Sequence, residues 1–130
     1  MRSVDTNVVV RATVRDDLKQ AAAAESFIAK GAWISHLVLA ETTWVLRTGY
    51  ELSPHDIAKA VQMLLDHEAL IVQDPEVVKA ALTAFRSRPS LGFSDCLIFE
   101  IARKAGHHPL GTFDRALSKL SGAEKIDAKS

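Results

Sequence analysis

The sequence predicts an α/β fold with a mostly parallel central sheet flanked by helices. Two observations carry this reading. Short apolar runs of strand length alternate along the chain with longer stretches in which apolar residues recur three or four apart. The helical stretches also carry their own start and stop signals, a polar cap before and glycine after. Strands separated by helices pair in parallel and are covered on both faces.

Arg2 to Val4 reads as an opening strand, followed by a short helix over about Val8 to Ala12. Asp16-Asp17 can cap the next helix, whose inner face is Leu18, Ala21, Ala24 and Ile28 and which Gly31 ends. "AWIS" (32–35) is a strand, and a helix from about Leu37 to Arg47 follows it. Ser53 and Pro54 open a helix with Ile57, Ala60, Val61, Leu64 and Leu65 on one face. "ALIV" (69–72) is the next strand. "DPE" (74–76) repeats the cap-then-proline device for a helix that buries Val77, Val78, Ala81, Leu82 and Phe85. The loop at 87–92 leads to a helix around Asp95 to Ala105, closed by Arg103, Lys104 and Gly106. "PLGTF" (109–113) is a strand ending at Asp114; a short helix and a strand near Glu124 to Ile126 complete the chain.

The 130 residues make one domain, 1–130, large enough for a real core. Hydrophobic residues at 48% and charged residues at 25% exclude a disordered chain. No apolar run nears the roughly 20 residues of a membrane span, and no signal peptide opens the chain. The lone Cys96 cannot form an internal disulfide, which fits a reducing cytoplasm. Sixteen Lys+Arg balance sixteen Asp+Glu, so the sequence argues against tight, indiscriminate binding to a phosphate backbone. Local basic patches stay open to it.

Candidate chemistry lies with carboxylates. In open parallel sheets, sites form beyond the carboxyl ends of strands. Asp5 in "RSVD" and Asp114 in "LGTFD" both hold that position, and either could equally be a helix cap. If their strands were neighbours, the two would lie side by side. Glu41, in "HLVLAETTWVL", falls on a stripe with Leu37 and Trp44 that is expected to face the core. A glutamate there is costly unless it is ion-paired or bound to a metal. Asp95 occupies the first turn of its helix, where the dipole favours an acid. Carboxylates about 4 Å apart repel by ~4 kcal/mol per pair at an effective dielectric near 20. A gathering of four therefore needs a cation, and oxygen-only ligands select Mg²⁺ or Mn²⁺.

"VDTNVVVR", "LAETTWVL", "FSDCLIFEIA" and "GTFDRAL", in this order and over this length, resemble the PIN-domain ribonucleases, and most of all the VapC-type toxins of bacterial toxin–antitoxin pairs. The resemblance implies a PIN-like three-layer sandwich and a metal-dependent endoribonuclease. It implies that Asp5, Glu41, Asp95 and Asp114 are catalytic residues that bind Mg²⁺ or Mn²⁺, with Asn7 and Thr112 supporting them. Hydrolysis of an RNA phosphodiester by a metal-activated water is the implied reaction.

Other polar residues carry less. His36 reads as a helix-start residue and His107-His108 as loop. Cys96 lacks a histidine placed to activate it and reads as an inert thiol. Trp33 and Trp44 read as core. Among the basic residues that could hold RNA, Arg11 and Arg115 follow the two strand-end aspartates and are the better placed. The three helices between 18 and 66 carry more apolar residues than one sheet face can cover; Leu39, Val38, Leu46, Met63 and Ile57 cannot all point inward. That surplus predicts an interaction surface. The toxin resemblance gives it a use, docking of an amphipathic segment of a cognate antitoxin protein, with a homodimer formed through remaining apolar surface. Two alternatives stay open: an aspartyl phosphotransfer protein, and a non-catalytic metal- or partner-binding module.

Overall fold

A carboxylate or hydroxyl opens each of the first four helices of the computed structural model, which describes residues 1–128. Asp5, Asp17, Ser35 and Ser53 each accept a hydrogen bond at 3.1 Å from the backbone N–H three residues on. Each bond satisfies one donor that the first helical turn leaves without a partner. The chain divides into two compact units, Met1–Pro75 and Glu76–Ser130.

Among the described residues, the first unit contains β1 (Arg2–Ser3), α1 (Thr6–Val14), α2 (Leu18–Ala29), β2 (Ala32–Ile34), α3 (His36–Thr48), α4 (Pro54–Asp66) and β3 (Leu70–Val72). Its sheet has the order β1-β2-β3 and is parallel throughout, with Ser3 opposite Trp33, and Trp33 opposite Ile71. The side-chain period of two divides the strands cleanly. Ala32, Ile34, Leu70 and Val72 are buried, whereas Trp33 is half-buried and Ile71 is exposed.

The second unit follows from α5 (Pro75–Ser87), through a 3₁₀ turn at Pro89–Leu91, to α6 (Phe93–Lys104). β4 (Leu110–Thr112) and β5 (Ala123–Lys125) then pair in parallel across a second 3₁₀ turn, Leu117–Lys119. Val77, Val78, Ala81, Leu82 and Phe85 form the buried stripe of α5 that the sequence predicts. Phe85 meets Phe93 edge to face, with ring centroids 6.0 Å apart. Gly122 sits at φ +104 against His108 and Phe99, where a Cβ would come within 2.5 Å of His108 Nδ1. Asp5 follows β1 in the three-stranded sheet of the first unit, and Asp114 follows β4 in the two-stranded ladder of the second.

Helix α3 departs from the sequence expectation. Its buried stripe is Leu39, Thr42, Thr43 and Leu46, not Leu37, Glu41 and Trp44. Leu37 is 70% exposed and Trp44 61%. The two threonines can turn inward because each hydroxyl bonds back along the helix, Thr42 to the Val38 carbonyl at 2.7 Å and Thr43 to that of Ala40 at 2.9 Å. With their polar atoms satisfied, they fill the interior as small branched residues. The apolar surplus is corrected accordingly. Leu39, Leu46 and Ile57 are buried, Val38 is half-buried and Met63 is exposed, together with Phe27, Leu37 and Trp44. Leu18 also lies outside its expected face, exposed at the first position after the Asp17 cap.

Truncation should read out this choice of face. Leu39→Ala is expected to destabilise the protein by about 2–5 kcal/mol. Leu37→Ala, one turn-edge away, should change stability by no more than about 0.5 kcal/mol. Urea unfolding of the two variants measures both, and equal losses would contradict the buried stripe.

Candidate functional site

The β1–α1 junction supplies the first carboxylate. Val4 is buried, the chain turns outward at Asp5, and Asp5 Oδ1 accepts the Val8 N–H. Thr6 occupies the first helical position beside it. The Thr6 hydroxyl donates to Glu41 Oε1 at 2.7 Å, a contact spanning 35 residues of sequence. Since Thr6 adjoins Asp5 in the chain, this bond brings the Glu41 carboxylate to the same edge of the unit. Glu41 is exposed rather than buried, because the Leu39–Leu46 stripe turns it away from the interior. Asp5 Oδ2 and Glu41 Oε2 accept no hydrogen bond from the described residues.

Sequence reasoning missed Thr6. Its signal was available: a hydroxyl directly after a capping aspartate lies on the same turn as the cap. Asn7, singled out instead, is exposed on α1. Asp5 also lines a cleft of about 520 Å³ together with Ser3, Val8, Phe27, Trp33 and Ser35.

Arg11 does not stand free. Its Nη1 bonds Asp16 Oδ1 at 2.9 Å and the Tyr50 hydroxyl at 3.3 Å, and Tyr50 in turn donates to Asp16 Oδ2 at 2.9 Å. The bond from Tyr50, and then that from Arg11, hold the Asp16 carboxyl below the usual carboxylate range. The same bond to Asp16 pushes the Tyr50 phenol upward.

In the second unit, Asp95 lies half-buried in the first turn of α6. Cys96 beside it is fully buried, and its thiol is pushed up to about 11, first by burial and then by the negative charges of Asp95 and Glu100. An inert thiol is what those surroundings make. Among the described residues the buried carboxylate is Glu100, 8% exposed and paired with Arg103 Nε at 3.0 Å. The sequence holds its signal in the i,i+3 spacing to Arg103. Thr112 and Asp114 are joined directly: the Asp114 N–H donates to Thr112 Oγ1 at 3.0 Å, and Asp114 Oδ1 accepts the Leu117 N–H at 3.1 Å. Asp114 and Arg115 are exposed. His36 opens α3 and donates its N–H to Gln73 Oε1 at 2.8 Å. His108 is a packing residue, with its ring 4.5 Å from that of Phe99 and Nε2 3.0 Å from the Phe99 carbonyl.

The structure thus joins Asp5 with Glu41 through Thr6, and Thr112 with Asp114. Among the described residues, no three His, Cys, Asp or Glu side chains form a group that could hold a metal ion. The donors at Asp5 and Glu41 are nonetheless of the kind a hard divalent cation takes, being exposed carboxylate oxygens.

In parallel α/β sheets ligands bind beyond the carboxyl ends of the strands, where Asp5 and Asp114 lie. The model of the PIN domain matches residues 3–123, and the chain belongs to the PIN-domain family. PIN domains are generally nucleases that act on RNA with divalent metal ions. Neither the curated proteins nor the solved structures offer a match to this chain. No helix among the described residues is long and apolar enough to cross a membrane.

Two titrations test these surroundings. Asp16, held below its ordinary pKa, contributes stability that is present above its unfolded value and is lost as pH falls through the folded one. Tyr50→Phe should therefore move the Asp16 titration, followed by NMR, back toward the ordinary range and raise the pH at which acid unfolding begins. For Cys96, whose neutral form is favoured up to about pH 11, thiol reagents at pH 8 should react only after denaturation. Rapid labelling of the native protein would contradict both its burial and its raised pKa.

Proposed function

We propose that this chain is a Mg²⁺- or Mn²⁺-dependent endoribonuclease and the toxin of a type II toxin–antitoxin pair. The observation that carries the nuclease reading is the Thr6–Glu41 hydrogen bond at the turn that Asp5 caps, in a chain whose family is generally nucleolytic. Asp5 and Glu41 from the first unit, and Asp95 and Asp114 from the second, are the proposed metal-binding and catalytic carboxylates. Carboxylates held close together repel without a cation, and oxygen-only donors favour a hard divalent ion. When bound, a divalent ion supplies a water of lowered pKa and neutralises charge on the phosphate.

The chain's own residues do the rest. Thr6 holds one oxygen of Glu41 and leaves the other turned to a ligand. Thr112 fixes the backbone at Asp114, and Leu117 N–H fixes its Oδ1, so that Oδ2 is the oxygen presented outward. Asn7 is a further supporting residue. Arg115, exposed beside Asp114, offers a cation to the RNA backbone; Arg11 is the weaker of the two candidates, because its charge is shared with Asp16.

Support for a toxin's partner comes from the exposed apolar side chains. α3 displays Leu37 and Trp44 on one stripe, and α4 displays Met63. An amphipathic segment of an antitoxin would cover them, with a homodimer formed through apolar surface that remains. Aspartyl phosphotransfer is less well supported, because the position two after Asp5 is Asn7 where a phosphatase of that type uses a second acid.

Asp5→Asn, Glu41→Gln and Asp114→Asn should each lower metal-dependent RNA cleavage by about a hundredfold or more with an unchanged circular dichroism spectrum. Thr6→Val, which only releases Glu41, should lower it by about 10- to 100-fold. Glu124→Gln, on exposed β5, should have little effect. Saturating Mg²⁺ or Mn²⁺ should raise Tm, since binding at 100 times Kd adds ~2.7 kcal/mol. Full activity in all three carboxylate variants would refute the site; an active enzyme that no product of the adjacent gene binds would refute the toxin reading alone.

A further inference from the structure

The cleft at Asp5 has an aromatic lining that metal binding does not use. Ser3 and Trp33 stand opposite one another on the β1–β2 ladder, so both side chains project from one face of the sheet. Ala32 and Ile34, on the other face, are fully buried. Trp33 and Ser3 contribute to a cleft of about 520 Å³, with Asp5, Val8, Phe27 and Ser35 also lining it. That volume lies in the range of sites for small organic ligands. Phe27 carries a pinned cation. Arg2 donates to its carbonyl at 2.9 Å and lays its guanidinium 3.7 Å from the centroid of its ring.

We propose that this cleft seats a nucleobase of single-stranded RNA stacked on Trp33, with Phe27 and Arg2 completing the subsite; the assignment rests on the ribonuclease reading above. The choice of occupant follows from what surrounds the aromatics. A flat π-system, hydroxyls at Ser3 and Ser35 for base edges, and a guanidinium for a phosphate are the three groups a nucleotide needs. An apolar peptide side chain would use neither the Arg2 charge nor the Ser3 hydroxyl. The subsite also continues. A second cleft, of about 290 Å³, shares Val8 and Phe27 with the first and reaches Asn7 and Arg11. Two adjoining clefts that share an aromatic wall suit a linear polymer of bases. The zero net charge of the chain adds weight, because without a broad basic field affinity must come from local contacts such as stacking.

Trp33 and Trp44 are the tryptophans of the chain, so Trp44→Phe leaves Trp33 as the sole indole reporter. That protein, kept free of divalent metal, is titrated with short oligo(A), oligo(C) and oligo(U). At least one should quench Trp33 emission saturably. Phe27→Ala should weaken that binding by roughly 5- to 100-fold. Arg2→Gln should lower the slope of log Kd against log salt by about one. In the tryptophan-containing enzyme, Trp33→Leu should raise KM for cleavage and Trp33→Phe should restore it, with kcat within about twofold in both. Absence of quenching by all three RNAs, or quenching by an amphipathic peptide instead, overturns the proposal. So does metal-dependent cleavage with unchanged KM in Phe27→Ala and Trp33→Leu, an outcome that leaves the nuclease standing. Quenching by RNA without cleavage in any metal would remove the nuclease and leave the subsite.

Discussion

The inward turn of Leu39, Thr42, Thr43 and Leu46 on α3 is the constraint from which the first unit's site follows. A helix has one rotational setting, so burying this stripe determines where every other α3 side chain points. Leu39 and Leu46 supply the apolar area. Thr42 and Thr43 join them without a desolvation penalty, because their hydroxyls bond the Val38 and Ala40 carbonyls. Glu41 is then directed outward, to the Thr6 hydroxyl at the capped end of α1. Leu37 and Trp44 are directed outward by the same setting.

Capping links the fold to the site at the two strand ends. Asp5 and Asp114 each use one carboxylate oxygen to hold the backbone N–H three residues on. The structural role and the proposed chemical one do not compete, since a carboxylate has two oxygens and the cap takes one. The cap also restrains rotation of the side chain, which orients the second oxygen. Cap and ligand are one device here, provided that a cation is bound.

Charge is distributed by the same economy. The chain has no net charge, and several of its cations are already engaged: Arg11 with Asp16 and Tyr50, Arg15 with Glu25, Arg103 with Glu100, Lys104 with Glu76. Arg2 is held over an aromatic ring rather than against a carboxylate. A guanidinium in that setting keeps its charge available to an incoming phosphate, whereas one in a close ion pair has much of its field cancelled.

The sequence by itself determined the order and type of the elements, because those signals are local. Ser53-Pro54 marks a helix start, a five-residue apolar stripe marks the face of α5, and "AWI" and "LIV" mark strands, whatever lies across from them. The motifs around Asp5, Glu41, Asp95 and Asp114 were also legible, and the family match over 3–123 bears out the family they suggest. Only the tertiary structure decided which stripe of α3 is buried. Two apolar stripes were available there, each with two large hydrophobic residues, Leu37 and Trp44 on one and Leu39 and Leu46 on the other, so a count does not choose between them. The decision turned on back-bonded hydroxyls, which make threonine apolar in effect but not in composition. Thr6 and Tyr50 were out of reach for a related reason. Their partners, Glu41 and Asp16, lie 35 and 34 residues away, and a hydrogen bond across that distance exists only once the helices that carry its two ends have packed.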